Sequence, residues 1–106
     1  MTTFDDRERQ EETRYKHDQE LQFKGRNRGN KLFGLWIAEL LGLQGEEAEQ
    51  YARDIVMIDF QSPGDDDIMA KARADLAAKS KEMSDHLLQK RLQEFRQVAL
   101  DQIRTE

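Results

Sequence analysis

The sequence predicts an all-α fold, a four-helix bundle that carries a mobile or extended N-terminal helical arm. Long stretches are rich in Glu, Lys, Gln, Leu and Ala, which favour helix, and they are interrupted by only one proline and six glycines. In the second half of the chain, apolar residues recur three and four positions apart. Amphipathic helices with short connections bury their apolar stripes best against one another, so a single bundle is expected.

The N-terminal arm is predicted to span residues 1–24. Thr3 can cap its first turn, and the acidic residues that follow suit the positive end of a helix dipole. Between Phe4 and Glu20, however, the only aromatic residues are Phe4 and Tyr15, and no apolar stripe joins them. Two interpretations stay open: a frayed, solvated arm, or a segment that folds in the cleft of a partner.

Gly25 and Gly29 lie between the arm and the apolar part of the chain. Each glycine weakens a helix by roughly 1 kcal/mol relative to alanine, which predicts a kink or a frayed hinge. Basic residues cluster in the same stretch: Lys24, Arg26, Arg28 and Lys31. They suggest a phosphate contact, but a charge run is more often a solvated surface, and we favour that interpretation.

Residues 25–106 are predicted to form the bundle as a single domain. Its first helix carries a strongly apolar run around Trp36, the expected core anchor, and Gly42 supplies a left-handed C-terminal cap. The second opens at Gly45 and carries an apolar stripe that ends near Phe60. We expect both helices to pack their apolar faces into a common core.

The second half of the bundle begins after a turn at Pro63. Acidic residues are expected to cap the third helix, namely Asp65, Asp66 and Asp67. Ser84 is expected to cap the last helix. The stripe of that helix reads Leu88, Leu92, Phe95, Ala99 and Ile103.

Composition excludes several classes of function. The chain has 17 basic and 22 acidic residues and a net charge of -5, which disfavours general binding to nucleic acid. It has no cysteine, so disulfides and thiolate metal sites are impossible. Neither a secretory signal nor an apolar run of membrane-spanning length is present, so we expect a cytoplasmic protein without membrane insertion.

No residue pattern supports catalysis or a cofactor. His17 and His86 are far apart in sequence and lie outside any ligand-spaced motif, so both are expected on the surface. The run 65–67 lacks the alternating oxygen ligands and central glycine of a calcium loop, and helix capping explains it better. We therefore expect a protein that is not an enzyme and that needs neither a metal nor a cofactor.

A series of short motifs resembles one known family, the zeta inhibitor subunits of the alphaproteobacterial F-type ATP synthase. No single motif is strong, but their order along most of the chain is specific. The matching stretches are Thr2-Thr3-Phe4-Asp5-Asp6-Arg7-Glu8, His17-Asp18, Glu20-Leu21, Phe23-Lys24, Asn30-Lys31-Leu32, Gly34-Leu35-Trp36, Ala38-Glu39-Leu40-Leu41-Gly42, Gly45-Glu46-Glu47-Ala48, Tyr51-Ala52, Val56-Met57, Asp59-Phe60, Gly64-Asp65 and Arg73-Ala74-Asp75-Leu76.

This resemblance implies a four-helix bundle whose N-terminal segment enters an interface between catalytic subunits of the ATP synthase head and blocks ATP hydrolysis. The implied partner is that head, at the cytoplasmic face of the membrane-bound synthase, and the free protein is expected to be a monomer. The residues expected to bind the partner are Phe4, Arg7, Glu8, Arg9, Arg14 and Tyr15.

The chain departs from the family pattern at Gly25 and Gly29, where alanine-like or charged residues are expected. A more mobile arm would follow from that departure. The alternative function is a helical adaptor or nucleotide-sensing module that binds phosphate at the basic stretch 24–31.

Overall fold

The computed structural model describes the backbone of residues 3–106 and the side chains of residues 16–106. Its four helices are α1 (Thr3–Leu40), α2 (Gly45–Gln61), α3 (Asp66–Ala78) and α4 (Asp85–Thr105). Regular structure in this part of the chain is entirely helical, which confirms the predicted all-α, four-helix class. At 38 residues, α1 is about 57 Å long and gives the molecule its elongated shape of 66 × 26 × 22 Å.

Helix α1 is the centre of the packing. It lies antiparallel to both α2 and α4 and contacts α4 most extensively, while α3 packs more lightly on the other three. One apolar cluster lies near the C-terminal end of α1. Its buried members are Phe33, Ile37, Ala38, Tyr51, Ile55, Ile68, Met69, Ala72, Leu76, Leu88 and Leu92.

The helix ends explain why the chain turns where it does. Gly42 adopts φ +81° directly after α1, a conformation that glycine reaches without steric cost. The Ser84 hydroxyl accepts a hydrogen bond from the Leu87 amide at 3.1 Å, so the predicted N-cap of α4 is confirmed. Lys81 donates to the Leu40 carbonyl and so ties the loop before α4 to the C-terminus of α1.

The predicted frayed hinge at the two glycines is wrong, because α1 continues through both of them. The alternative expectation, a kink within a continuous helix, stays a prediction. Gly25 and Gly29 are buried against α4. A Cβ at position 29 would lie 2.5 Å from the Cα of Arg96, and one at position 25 would lie 3.2 Å from Leu100. The glycines therefore allow two helices to approach closely, and that packing outweighs their low helix propensity.

Trp36 is not the buried core anchor that the sequence predicts. It is partly buried at the edge of the cluster, where its ring lies 6.0 Å from those of Phe33 and Phe95. The Arg91 guanidinium lies over the Trp36 ring at 5.6 Å from its centroid. Phe33, with no exposed surface, occupies the central position instead. Phe60, near the C-terminal end of α2, is 66% exposed.

The acidic run before α3 is only partly a helix cap. Asp65 is the N-cap residue, but its side chain makes no capping hydrogen bond. Its Oδ1 lies 3.0 Å from Nη2 of Arg96 and 3.5 Å from Nη2 of Arg26. Two arginines thus compete for this carboxylate, while Asp66 and Asp67 in the first turn keep the favourable position near the helix dipole.

Candidate partner-binding arm and its base

The first residues with described side chains show where α1 leaves the bundle. Residues 16–20 are all exposed, and partial burial begins at Leu21. The C-terminus of α4 lies beside this point, since Nη1 of Arg28 is 2.6 Å from Oε1 of Glu106. Helix α1 therefore runs beyond the end of its main packing partner.

The six residues predicted to bind the partner all lie on the helical backbone of this projecting part of α1. Their side chains lie outside the described residues, and their roles stay predictions. They are Phe4, Arg7, Glu8, Arg9, Arg14 and Tyr15. The proposed boundary between residues 24 and 25 also stays a prediction, although close packing on α4 begins at Gly25.

A buried carboxylate, Asp59, holds the base of the arm. Only 6% of Asp59 is exposed. Its two oxygens accept hydrogen bonds from Nε and Nη2 of Arg26 at 2.7 and 2.8 Å, and Oδ2 also accepts one from Nδ2 of Asn30 at 2.8 Å. This fork-to-fork geometry is the strongest arrangement available to an arginine and a carboxylate.

The same set of contacts continues to α4 and to the loop before α3. Asn30 is fully buried, and its Oδ1 accepts a hydrogen bond from Nε of Arg96 at 3.0 Å. Nη2 of Arg96 then reaches Asp65. We call this group the polar network; its members are Arg26, Asn30, Asp59, Asp65 and Arg96. Two positive and two negative charges balance within it, as burial of charged groups requires.

The electrostatics of the polar network favour the ionised pair. Hydrogen bonds from Arg26 hold the pKa of Asp59 below its ordinary value, with further contributions from Asn30 and Arg96, despite an opposing effect of burial. The same hydrogen bonds raise the pKa of Arg26. Asp59 is therefore a carboxylate at neutral pH.

Sequence reasoning missed Asp59 and Arg96 as members of a site. A signal for Asp59 was present, because it follows Tyr51, Ala52 and Ile55 at helical spacing on the buried face of α2. An acidic residue on such a face requires a buried cation or hydrogen-bond donors. The sequence does not identify which of the 17 basic residues supplies that cation.

The four basic residues of the alternative phosphate site do not share one contact. Arg26 forks onto Asp59, Arg28 pairs with Glu106, and Nζ of Lys31 lies 3.5 Å from Oε2 of Glu49. Lys24 is exposed. The hydrogen bond from Arg28 lowers the pKa of the Glu106 carboxyl, and the charge of Lys24 lowers it further. A phosphate group would have to compete with these carboxylates, and the phosphate site stays a prediction.

Two surfaces near the arm expose large apolar side chains. Phe23, 55% exposed, lies at the root of the arm beside a depression of about 390 Å³ that Gly25 and Leu100 also line. Met57 and Phe60 are 50% and 66% exposed on α2. Exposed apolar surface is thus present on α2 as well as at the root of the arm.

Both histidines lie at exposed positions, His17 on α1 and His86 on α4. Among residues 16–106, no group of histidine and acidic side chains is arranged to hold a metal ion. None of the described helices is both long enough and apolar enough to cross a membrane.

Comparison with known proteins identifies the family. No curated protein matches the chain. A solution NMR structure of a protein has 38% sequence identity to it and a TM-score of 0.69, and the match covers 80% of this chain and 96% of the other. The family described as ATPase inhibitor subunit zeta matches residues 1–102, essentially the full length. The chain therefore belongs to the ATPase inhibitor subunit zeta family.

Proposed function

We propose that this protein is a regulatory subunit that blocks ATP hydrolysis by the F-type ATP synthase, and that its arm is the inhibitory element. The observation that carries the proposal is the course of α1, which is packed at one end and projects beyond α4 at the other. Residues 16–20 are all exposed. Such a helix offers its surface to a partner without unfolding the bundle.

The proposed mechanism is steric. Rotary catalysis requires each interface between catalytic subunits to open and close in turn, and a helix seated in one interface favours the state that accommodates it. The inhibitor shifts the cycle only by the difference between its affinities for the open and closed states. The bundle remains outside the interface and needs no catalytic residue.

The arm supplies two kinds of contact in this proposal. Arg7, Arg9 and Arg14 pair with carboxylates that line the cleft, because charge-assisted hydrogen bonds are strong where water is excluded. Phe4 and Tyr15 act as aromatic anchors, the residue class that most often dominates interface energetics. In the same proposal, Glu8 pairs with a basic residue of the partner. The protein acts at the cytoplasmic face of the membrane-bound synthase and is a monomer when free.

Steady-state ATP hydrolysis by the isolated cognate head tests the proposal. The full chain is compared with a chain that begins at Leu21 and with the double charge reversal Arg7→Glu/Arg9→Glu. The matched control is Lys79→Glu/Lys90→Glu, which reverses two exposed charges on the bundle. Circular dichroism and thermal unfolding verify that each variant keeps a folded bundle.

We expect the full chain and the control variant to inhibit hydrolysis, the shortened chain not to inhibit, and the arm reversal to inhibit weakly. Inhibition by the shortened chain at the level of the full chain would show that the bundle, and not the arm, is the inhibitory element. Equal effects of the two charge reversals would show that the arm arginines make no specific contact.

A further inference from the structure

We propose that the polar network is a positioning device that restrains α1 at Gly25 and Gly29 and so fixes the direction of the arm relative to the bundle. The consequence for inhibition rests on the proposed function, whereas the effect on arm direction does not. Arg26 and Asn30 are the positioning residues on α1, and Asp59 and Arg96 hold them from neighbouring helices.

The need for such a device follows from the local sequence. Gly25 and Gly29 lie one helical turn apart, and neither has a side chain that interlocks with α4. Leu100 and Arg96 pack directly on their backbone. Close approach of this kind holds the helices together but leaves few side-chain contacts that resist bending.

The polar network contacts the glycine stretch from three directions. Asp59 approaches from α2 and binds Arg26 and Asn30. Arg96 approaches from α4 and binds Asn30, whereas Asp65 in the loop before α3 reaches Arg26 and Arg96. A tilt of α1 away from α2 or α4 therefore lengthens at least one hydrogen bond, and a tilt away from the loop before α3 lengthens the Arg26–Asp65 ion pair.

Directional contacts explain the presence of this network better than stability does. A buried ion network is often no more stabilising than apolar residues of similar volume, because removal of charges from water offsets their attraction. Its distinctive property is geometry, since two parallel hydrogen bonds between a planar guanidinium and a carboxylate restrict their relative orientation. The arm amplifies any loss of that geometry: a tilt of about 10° at Gly25 moves the helix start at Thr3 by roughly 6 Å.

Distance measurements by pulsed electron spin resonance test the proposal on the full chain. The protein contains no cysteine, so nitroxide labels can be placed uniquely by His17→Cys on α1 and Lys90→Cys on α4, both at exposed positions. The test variant Arg26→Met/Asp59→Asn removes one charge of each sign and leaves an amide oxygen that can still accept from Asn30. The matched control Arg28→Met/Glu106→Gln removes the exposed ion pair at the same end of the bundle.

We expect a single narrow distance distribution in the wild type and in the control, and a clearly broader or shifted one in the test variant. Arg26→Lys keeps the positive charge but loses the two parallel hydrogen bonds, so its distance distribution should have an intermediate width. This variant keeps the test decisive if the double variant does not fold. An unchanged distribution in the folded double variant would overturn the proposal, and so would equal broadening in the control.

Inhibition of hydrolysis by the same unlabelled proteins tests the functional consequence. If the correctly directed arm falls to about a tenth of the population, the apparent dissociation constant for the head rises about tenfold. Unchanged inhibition despite a broadened distribution would show that arm direction does not matter. Absence of inhibition by the wild type would overturn the proposed function and leave the distance result to decide the positioning role alone.

Discussion

The two ends of the bundle hold α1 in different ways. At the end near the α1 C-terminus, the buried residues are large and apolar, and Phe33, Ile37, Leu88 and Leu92 have no exposed surface. At the arm end, the buried residues of α1, α2 and α4 are small or polar. They are Gly25, Gly29, Asn30, Asp59 and Ala99. We refer to these as the apolar end and the polar end.

This difference explains how α1 can be anchored in the core at one end and project as an arm at the other. Apolar burial is non-directional and supplies most of the free energy of folding, so the apolar end anchors α1. Hydrogen bonds contribute less net free energy but restrict geometry, so the polar end directs the helix as it leaves the bundle. The two ends should therefore respond differently to mutation.

The largest expected effect is at the apolar end. Phe33→Ala should lower the free energy of unfolding by roughly 3–5 kcal/mol, because it removes a fully buried ring from the centre of the cluster. Chemical denaturation measures this directly. Phe60→Ala is the matched control; because Phe60 is mostly exposed, a change within about 0.5 kcal/mol is expected. Similar losses at both positions would contradict the assignment of the core.

At the polar end, Asp59→Asn should cost about 2 to 3 kcal/mol at neutral pH, since it removes the bidentate hydrogen-bond partner of Arg26, whose side chain is 41% exposed. The effect should depend on pH. The pKa of Asp59 is lower in the folded chain than its ordinary value of 3.8, so its stabilisation is present above that value and is lost as the pH falls through the lowered pKa.

Urea unfolding of wild type and Asp59→Asn between pH 3 and 7 checks this prediction. The difference between the two proteins should be largest above about pH 4 and should shrink on acidification. A difference that stays constant across this range would mean that the Asp59 carboxylate contributes no pH-dependent stability.

The smallest expected changes in stability are those of alanine substitutions at the two glycines of the polar end, and the two positions should respond differently. Gly29→Ala gains helix propensity of roughly 1 kcal/mol but places a Cβ against the α4 backbone, and overpacking costs about 1–3 kcal/mol. A net loss of roughly 1 kcal/mol is expected. At Gly25 the nearest atoms are Cβ and Cδ1 of Leu100 at 3.2 Å and its Cα at 3.3 Å, contacts that a small displacement of α4 relieves, so Gly25→Ala should be nearly neutral. Thermal unfolding of both variants decides, and stabilisation by Gly29→Ala would argue against close packing there.

The sequence predicts features that depend on local pattern. The Ser84 cap, the left-handed Gly42 and the stripe through Leu88 and Leu92 follow from residue type and spacing, and the structure confirms all three. Each is decided within a few residues of chain. Long amphipathic stretches with few interruptions likewise suffice to indicate four helices.

Features that depend on distant partners could not be predicted. Helix propensity describes an isolated helix, so it predicts a hinge at Gly25 and Gly29. In the folded protein their conformation is decided by packing against Arg96 and Leu100 on α4. Asp65 read as a cap because its arginine partners are remote in sequence. For Trp36, the apolar run indicates burial of the helix but not which of its faces is central.

Amide hydrogen exchange of the full chain, alone and bound to the isolated ATP synthase head, tests the central claim that α1 is anchored at one end and offered to a partner at the other. In the free protein, amides of residues 25–30 should be well protected, and those of residues 16–20 should exchange faster than these but more slowly than in an unfolded chain. On binding, residues 16–20 should gain protection while residues 33–40 stay as they were. Rapid exchange of residues 25–30 in the free protein, or protection gained only on the bundle, would contradict this account.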